Sequence, residues 1–191
     1  FFRKSSKQCL GGVERACDDI HSYAHDFSTK SKIKKRKNAS HFNDTLTMNM
    51  RLIGPMATAL GVAWSMNEYD KTEKEQINDW LSKNSTIFYN GLRKEGFYKK
   101  SKDKINARKA AHNHATQSSI ARMSVGVLSN DRDLFLEGVD QWFITLDSMR
   151  EDGSLPIETR RGSRALFYQG RAISALFAIA HRAEVQGINL F

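Results

Sequence analysis

The segment E-D-G-S-L-P-I-E-T-R-R-G-S-R-A-L-F-Y-Q-G, residues 151–170, decides how the rest of this chain is interpreted. It opens with the turn signals Asp152-Gly153 and Leu155-Pro156, and it runs into an apolar-periodic stretch at 165–180. Glycine and proline in such pairs indicate a loop, and apolar residues three and four positions apart indicate a helix. We therefore predict a loop that leads into a helix starting near Gly162.

The basic residues of this segment gather at the start of the predicted helix. Arg161 lies at the mouth of the helix, and Arg164 and Tyr168 are four positions apart, so they share one of its faces. Two guanidinium groups and a phenol in one small volume suit an anionic ligand, because they supply both charge neutralisation and a proton donor.

Helical periodicity extends through most of the 191 residues. Apolar residues recur at helical spacing over 6–26, 44–66, 72–94, 113–128, 131–149 and 163–185. Pro55 should kink or divide the second of these helices. The residues predicted to face inward include Leu60, Ile77, Leu81 and Met123, and on the last three helices also Val127, Leu146, Leu166 and Phe177. With no convincing strand alternation, the sequence predicts an all-α fold of antiparallel helix hairpins, by length a single domain.

The charge of the chain points to a polyanionic partner. Thirty basic and twenty-one acidic residues give a formal charge of +9, which favours nucleic acid, an anionic membrane or an acidic polysaccharide. Many of the basic residues fall at 30–37, inside a predicted loop at 27–43. This loop is interpreted as a solvated surface loop, as an electrostatic arm that gathers a polyanion, or as a nucleic-acid patch. Aromatic residues are absent from the run, which disfavours base stacking.

Three further classes of feature are not expected. No run of eighteen apolar residues occurs, so we expect no membrane insertion. Cys9 and Cys17 would lie roughly 12 Å apart on one helix, too far for a disulfide, which requires Cα atoms within about 7 Å. His21 and His25 have a spacing that can bind a metal, but no companion carboxylate motif follows. A solvated or core-edge pair is favoured, and we expect no metal or other cofactor.

Two motifs in the second half of the chain resemble a known family. The pattern L-P-x-E-x-R-R-x-x-R-A-L-x-Y at 155–168 is similar to the signature of the alginate lyases with an all-helical toroid fold, polysaccharide lyase family five. His112-Asn113-His114 resembles the Asn-Asn-His motif of that family. The resemblance implies an (α/α) toroid, an incomplete barrel of helix hairpins. It also implies that N-terminal sequence is missing from this chain and that the protein is periplasmic or secreted.

The resemblance also implies a reaction and its residues. Family members cleave uronate polymers by β-elimination without a metal, and poly-mannuronate is their usual substrate. Asn113, His114 and Arg161 would neutralise the substrate carboxylate. Tyr168 would donate a proton to the leaving oxygen, and either Tyr168 or His114 would act as the base. The predicted substrate-binding residues are Arg160, Arg164, His112 and Gln117.

Departures from the family pattern leave the substrate open. His112 replaces an asparagine, Ala115 and Thr116 replace aromatic residues, and Gln169 replaces a histidine. A polymer containing glucuronate is therefore a second candidate substrate. Because residues two apart point to different sides of a helix, we expect His112 and His114 to diverge.

Structural roles for the same residues remain open at this point. Tyr168 could pack as an ordinary amphipathic residue, Arg161 or Arg164 could pair with Glu158, and Asn113 could act as an N-cap. The alternative functions are a helical module that binds acidic polysaccharide without cleaving it and a nucleic-acid binder. Neither would require Tyr168 together with His114. The oligomeric state stays open.

Overall fold

The structure is a computed structural model that describes residues 11–30, 48–92 and 111–191. Within these ranges the chain forms seven α-helices and no strand, which confirms the all-α prediction. The helices are α1 (Gly11–Lys30), α2 (Gly54–Met66), α3 (Lys71–Leu92), α4 (Asn113–Ser129), α5 (Arg132–Asp147), α6 (Pro156–Thr159) and α7 (Ala165–Val185). The closure of these helices into a toroid stays a prediction.

Helix α1 continues one turn beyond its predicted end, to Lys30. The ammonium group of Lys30 lies 2.8 Å from Oδ2 of Asp26, one turn earlier. Phe27 packs edge-to-face on Trp80 of α3, with ring centroids 5.1 Å apart. The predicted loop at 27–43 therefore begins too early by these four residues. The rest of its basic run, Cys9 and residues 95–110, between the third and fourth predicted helices, lie outside the described residues.

Pro55 divides the second predicted helix, as expected. A π-helical segment, Met48–Ile53, precedes it, and α2 begins with Pro55 in its first turn. Proline is tolerated there because the first N–H groups of a helix have no partner within the helix. The residue thus marks the change from one hydrogen-bonding pattern to another.

Helix α4 is the centre of the bundle. It packs against α2, α3, α5 and α7, and the apolar clusters on its two sides include Val125 and Met123 respectively. The turn into α5 is tight, with Asn130 in the left-handed conformation at φ 56°. A Cβ on Gly126 would lie 2.7 Å from the backbone nitrogen of Phe135, so glycine permits this close approach. Residues at the start of α4 are consequently held by the best-packed helix.

Many residues predicted to face inward are buried, but four on the last three predicted helices are exposed. Leu60, Ile77 and Leu81 are fully buried, as is Met123. Val127, Leu146, Leu166 and Phe177 are instead exposed. On α7 the reason is the nature of its buried face, which is built largely from small residues that let α4 approach: Ala172, Ala175, Leu176, Ile179, Ala180 and Ala183.

His21 has a structural role at the edge of the core. The indole N–H of Trp64 donates to Nδ1 of His21 at 3.0 Å, and Nε2 lies 3.0 Å from a carboxylate oxygen of Glu73. The imidazole also stacks on Tyr69. His25 is more distant, with Nδ1 4.0 Å from the other oxygen of Glu73. The core-edge interpretation of this pair is confirmed for His21, which ties α1 to α2 and α3.

Candidate active site

The segment 151–170 folds into a short helix, a tight turn and the start of α7. Helix α6 begins with Pro156 in its first turn, and Gly162 adopts a positive φ of 58° after it. A single 3₁₀ turn, Gly162–Arg164, leads directly into α7. The predicted helix start near Gly162 is confirmed. Glycine is the residue that adopts this left-handed conformation without steric cost.

Glu158, on α6, lies between Asn113 and Arg161 and contacts both. Its side chain is fully buried, and its Oε1 accepts hydrogen bonds from the backbone N–H of Asn113 at 2.6 Å and from Nδ2 of Asn113 at 2.9 Å. Its Oε2 lies 2.7 Å from Nε of Arg161. A buried carboxylate requires such compensation, because removing a charge from water is costly. One side chain therefore anchors both Asn113 and Arg161.

The anion at the start of α4 is a side chain of the protein itself, the carboxylate of Glu158. Helix N-termini favour negative charge because their N–H groups are unsatisfied and the dipole is positive there. The Glu158 carboxylate takes the N–H of Asn113. The N-cap is His112, whose Nδ1 accepts from the N–H groups of His114 at 3.2 Å and Ala115 at 3.4 Å. His112 is fully buried and has a capping role in this structure, and its predicted contact with substrate stays a prediction.

The imidazoles of His112 and His114 lie close together. Their ring centroids are 5.4 Å apart in an edge-to-face arrangement, so the expectation that the two side chains diverge is wrong. The reason is that His112 precedes the helix in an extended conformation. Burial, followed by the charges of His114 and Arg161, lowers the pKa of His112 to about 3. Burial, followed by the charge of Arg161, lowers the pKa of His114 to about 4. Both rings are therefore neutral at neutral pH.

Arg161 is stacked on Tyr168. The guanidinium carbon lies 4.2 Å from the centroid of the phenol ring, a separation at which a cation is attracted to an aromatic face. Arg161 thus joins Glu158 on one side to Tyr168 on the other. The interpretation of Arg161 as the partner of Glu158 is confirmed. Arg160 and Arg164 are both exposed, and their predicted contact with substrate stays a prediction.

Gln117 holds a second arginine that the sequence analysis did not single out. Nη2 of Arg171 donates to Oε1 of Gln117 at 3.0 Å, and the guanidinium carbon of Arg171 lies 5.6 Å from the ring centroid of Phe167. Arg171 is exposed on α7. Its charge also contributes to the lowered pKa of His114, after burial and Arg161. Gln117, one turn beyond Asn113, therefore positions a cation beside the cluster.

Gln169 connects α7 to the turn that precedes α6. Its Oε1 accepts from the N–H of Leu155 at 2.9 Å, and its Nε2 donates to the carbonyl of Gly153 at 3.0 Å. The residue that departs from the family pattern next to Tyr168 thus has a structural role. It holds the two ends of the segment that carries Glu158 and Arg161.

Comparison with known proteins gives a family for this arrangement. The alginate lyase family model matches residues 13–191, almost the whole chain. The chain belongs to the alginate lyase family. Among curated relatives, an alginate lyase of Pseudomonas paraeruginosa is 37% identical over 82 residues, which are 43% of this chain and 22% of that protein. An alginate lyase of Cobetia marina is 34% identical over 79 residues, 41% of this chain and 21% of that protein.

A third relative carries the broader name polysaccharide lyase. A polysaccharide lyase of Stenotrophomonas maltophilia is 30% identical over 82 residues, 43% of this chain and 25% of that protein. The matched segment spans about a fifth to a quarter of the length of these three relatives. What the chain shares with each of them is therefore one part of a longer protein.

Two residues of this candidate site were underestimated by sequence reasoning. Glu158 was considered only as a partner for a nearby arginine, and its contact with Asn113 joins positions 45 residues apart. The signal that could have identified Glu158 is its place in the L-P-x-E pattern, two residues after the proline. A carboxylate at this position is not explained by the apolar periodicity of a helix. Arg171 carried a weaker signal, its position on α7 three residues beyond Tyr168.

Two further properties hold for residues 11–30, 48–92 and 111–191. None of the described helices is both apolar enough and long enough to pass through a bilayer. The same residues contain no group of three or more histidine, cysteine, aspartate or glutamate side chains placed to hold a metal ion.

Proposed function

We propose that this chain carries the catalytic centre of a polysaccharide lyase that cleaves an acidic uronate polymer, with poly-mannuronate as the preferred substrate. Membership of the alginate lyase family supports the proposal, as does the cluster formed between α4 and α7. The proposal includes one domain over residues 1–191 and a periplasmic or secreted location, both of which rest on the family.

The proposed reaction is β-elimination. A base removes the proton on C5 of a uronate residue, and the electron pair of that C–H bond forms a double bond between C4 and C5. The bond from C4 to O4 breaks, and O4 leaves as a hydroxyl after it receives a proton. Negative charge develops beside a carboxylate that is already anionic, so the site must stabilise that charge with preorganised donors.

Arg161 and Asn113 supply the donors in this proposal. Nε of Arg161 forms an ion pair with Glu158. The two terminal nitrogens of Arg161 are the groups that would bind the substrate carboxylate. Asn113 donates from Nδ2 to Glu158, and an amide nitrogen carries two hydrogens, so a second N–H serves the substrate. Glu158 fixes both side chains, and little rearrangement is needed as charge develops.

Tyr168 and His114 carry out the proton transfers. Because the pKa of His114 is lowered to about 4, its imidazole is unprotonated across the neutral range and acts as the base toward C5. Tyr168, beneath the guanidinium of Arg161, donates the proton to O4. General acid-base catalysis of this kind contributes about 10²–10⁴ in rate.

One observation carries the proposal: the shared anchoring of Asn113 and Arg161 on the buried carboxylate of Glu158. A helical packing role alone would not require an arginine that links a buried acid to a tyrosine ring. The arrangement supplies a fixed positive charge, an amide donor, a neutral imidazole and a phenol in one cluster.

The test is the increase of near-ultraviolet absorbance when the protein is mixed with poly-mannuronate, because elimination creates a conjugated double bond. Tyr168→Phe should lower turnover by about 10²-fold or more while leaving polymer affinity nearly unchanged. Arg161→Ala should lower both. Tyr23→Phe, at an exposed tyrosine of α1, is the matched control and should retain activity. A Tyr168→Phe variant with full activity would refute the mechanism.

The substrate panel separates the alternatives. An absorbance increase only with glucuronate-containing polymers would change the substrate and keep the chemistry. Binding of uronate polymers by the folded protein, with no absorbance increase for any of them, would favour a non-catalytic polysaccharide-binding module. Salt-sensitive binding of DNA that does not depend on Arg161 would favour a nucleic-acid binder.

A further inference from the structure

Four side chains at and just before the start of α7 form a continuous row in which two aromatic rings lie between two cations. Arg161 lies 4.2 Å from the ring centroid of Tyr168. The ring centroids of Tyr168 and Phe167 are 5.2 Å apart in an edge-to-face contact. Arg171 lies 5.6 Å from the ring centroid of Phe167. This cation–aromatic row extends from the catalytic cluster to the surface of the helix.

The outer end of the row is accessible and held in place. Phe167 is 59% exposed, so its ring is accessible to a ligand. Arg171 is also exposed, yet Oε1 of Gln117 accepts a hydrogen bond from its guanidinium group at 3.0 Å. A free surface arginine samples many rotamers, and ordering it on binding has an entropic cost. The contact with Gln117 lowers that cost before any ligand arrives.

Both cations of the row are linked to the first two turns of α4, Arg171 through Gln117 and Arg161 through Glu158, which bonds Asn113. Both charges also contribute to the lowered pKa of His114, the proposed base. The outer pair of the row therefore lies beside the reacting centre and not on a remote part of the surface.

We propose that Arg171 and Phe167 form a second sugar-binding subsite, which takes the uronate residue adjacent to the one bound at Arg161 and Tyr168. The inference rests on the proposed function. Each uronate residue carries one carboxylate, so two neighbouring residues require two cations, and a guanidinium group can bind a carboxylate through two parallel hydrogen bonds. The exposed part of the Phe167 ring packs on the apolar face of the same sugar. Gln117 acts as the positioning residue for Arg171.

The test uses mannuronate oligomers of increasing length, with turnover measured by absorbance and affinity by calorimetry. Arg171→Ala should lower kcat/KM and affinity about tenfold, the loss expected for one charge-assisted contact. Phe167→Ala should lower both as well, through loss of apolar packing, and each loss should appear only for oligomers long enough to reach the subsite. The shortest cleaved oligomer should be unaffected. Gln117→Ala should give a smaller loss with the same length dependence, which a purely structural role would not produce.

Arg132→Ala is the matched control, because Arg132 is an exposed arginine at the start of α5. If Arg132→Ala causes the same loss as Arg171→Ala, general charge attraction explains the effect and the subsite is refuted. An equal loss at every oligomer length for Arg171→Ala would also refute it, since that pattern indicates an effect on His114 instead.

Failure of the subsite and failure of the proposed function give different results. Cleavage by the wild-type protein with no length-dependent loss in Arg171→Ala overturns the subsite alone. Binding without cleavage overturns the lyase proposal, and the length dependence of affinity still decides the subsite. A folded wild-type protein that neither binds nor cleaves any uronate oligomer overturns both.

Discussion

Glu158→Gln tests the anchoring of the site most directly. The amide of glutamine has nearly the size of the carboxylate, and its oxygen can still accept both N–H groups of Asn113. Its NH₂ group would then face Nε of Arg161, so two positively polarised groups would oppose each other at the present 2.7 Å separation. Glu158 is fully buried, so water cannot replace the lost charge.

The magnitude follows from these contacts. A hydrogen bond or ion contact to a charged group contributes about 1.5–3 kcal/mol net. The side chain of Arg161 is 29% exposed and can be partly solvated after the change, which places the expected loss of unfolding free energy near the middle, about 2 kcal/mol. For a protein of this size, that loss lowers Tm by about 4–8 °C. Displacement of a catalytic group by about 1 Å can cost about 10²-fold in rate, and we expect kcat to fall by that order.

The assay combines thermal unfolding with steady-state turnover on poly-mannuronate. Glu137→Gln is the control, because Glu137 forms an ion pair with the buried Arg122 between α5 and α4, outside the site. That variant should lose stability and keep kcat. If Glu158 acts through Arg161, Glu158→Gln should cause little further loss of kcat in an Arg161→Ala background. Wild-type kcat in Glu158→Gln, or the same loss in both backgrounds, would contradict this reasoning.

Two further predictions concern stability. The pKa of His112 is about 3 in the folded protein and about 6.5 when unfolded, so the unfolded state binds a proton first and stability falls as pH decreases from about 6.5 toward 3. His112→Asn keeps an N-cap acceptor and should make the free energy of unfolding less dependent on pH, by up to about 1.4 kcal/mol per pH unit. Urea unfolding at several pH values measures this dependence. An unchanged dependence would show that His112 is not responsible. Gly126→Ala should destabilise the fold by about 1–3 kcal/mol, because the new Cβ meets backbone atoms of α5. Gly170→Ala on α7, where a Cβ meets nothing within 4 Å, should be neutral or stabilising by about 1 kcal/mol, and equal effects of the two changes would refute the packing argument.

The helices of this protein could be predicted from sequence to the extent that their periodicity reports burial. The apolar spacing of α4 and α5 gave their bounds within two residues, since α4 packs against four helices and α5 buries one face against α4 and α7. The same reasoning placed Phe177 inward and was wrong, since periodicity identifies an apolar stripe and not how much of it a neighbour covers. The π-helical segment before α2 has no signal in side-chain spacing.

The residues of the site could be predicted from the sequence, but the contacts among them could not. Arg161, Tyr168, Asn113 and His114 are recognisable as residue types in a spaced pattern. The capping role of His112 was missed because histidine is not among the preferred N-cap residues. The contact of Glu158 with Asn113 joins chain segments 45 positions apart, and no local rule specifies such a contact.

The two hydrogen bonds of Gln169, to Leu155 and Gly153, have a consequence for how this part of the protein can vary. They close a ring in the chain, and Glu158, Arg161 and Tyr168 all lie on the segment that the ring encloses. Adding or deleting one residue within that segment would shift the closing amide out of reach of one backbone partner and would rotate α7 relative to α6. Variation in this half of the site is therefore confined to exchange of side chains, with the number of residues between Leu155 and Gln169 held constant.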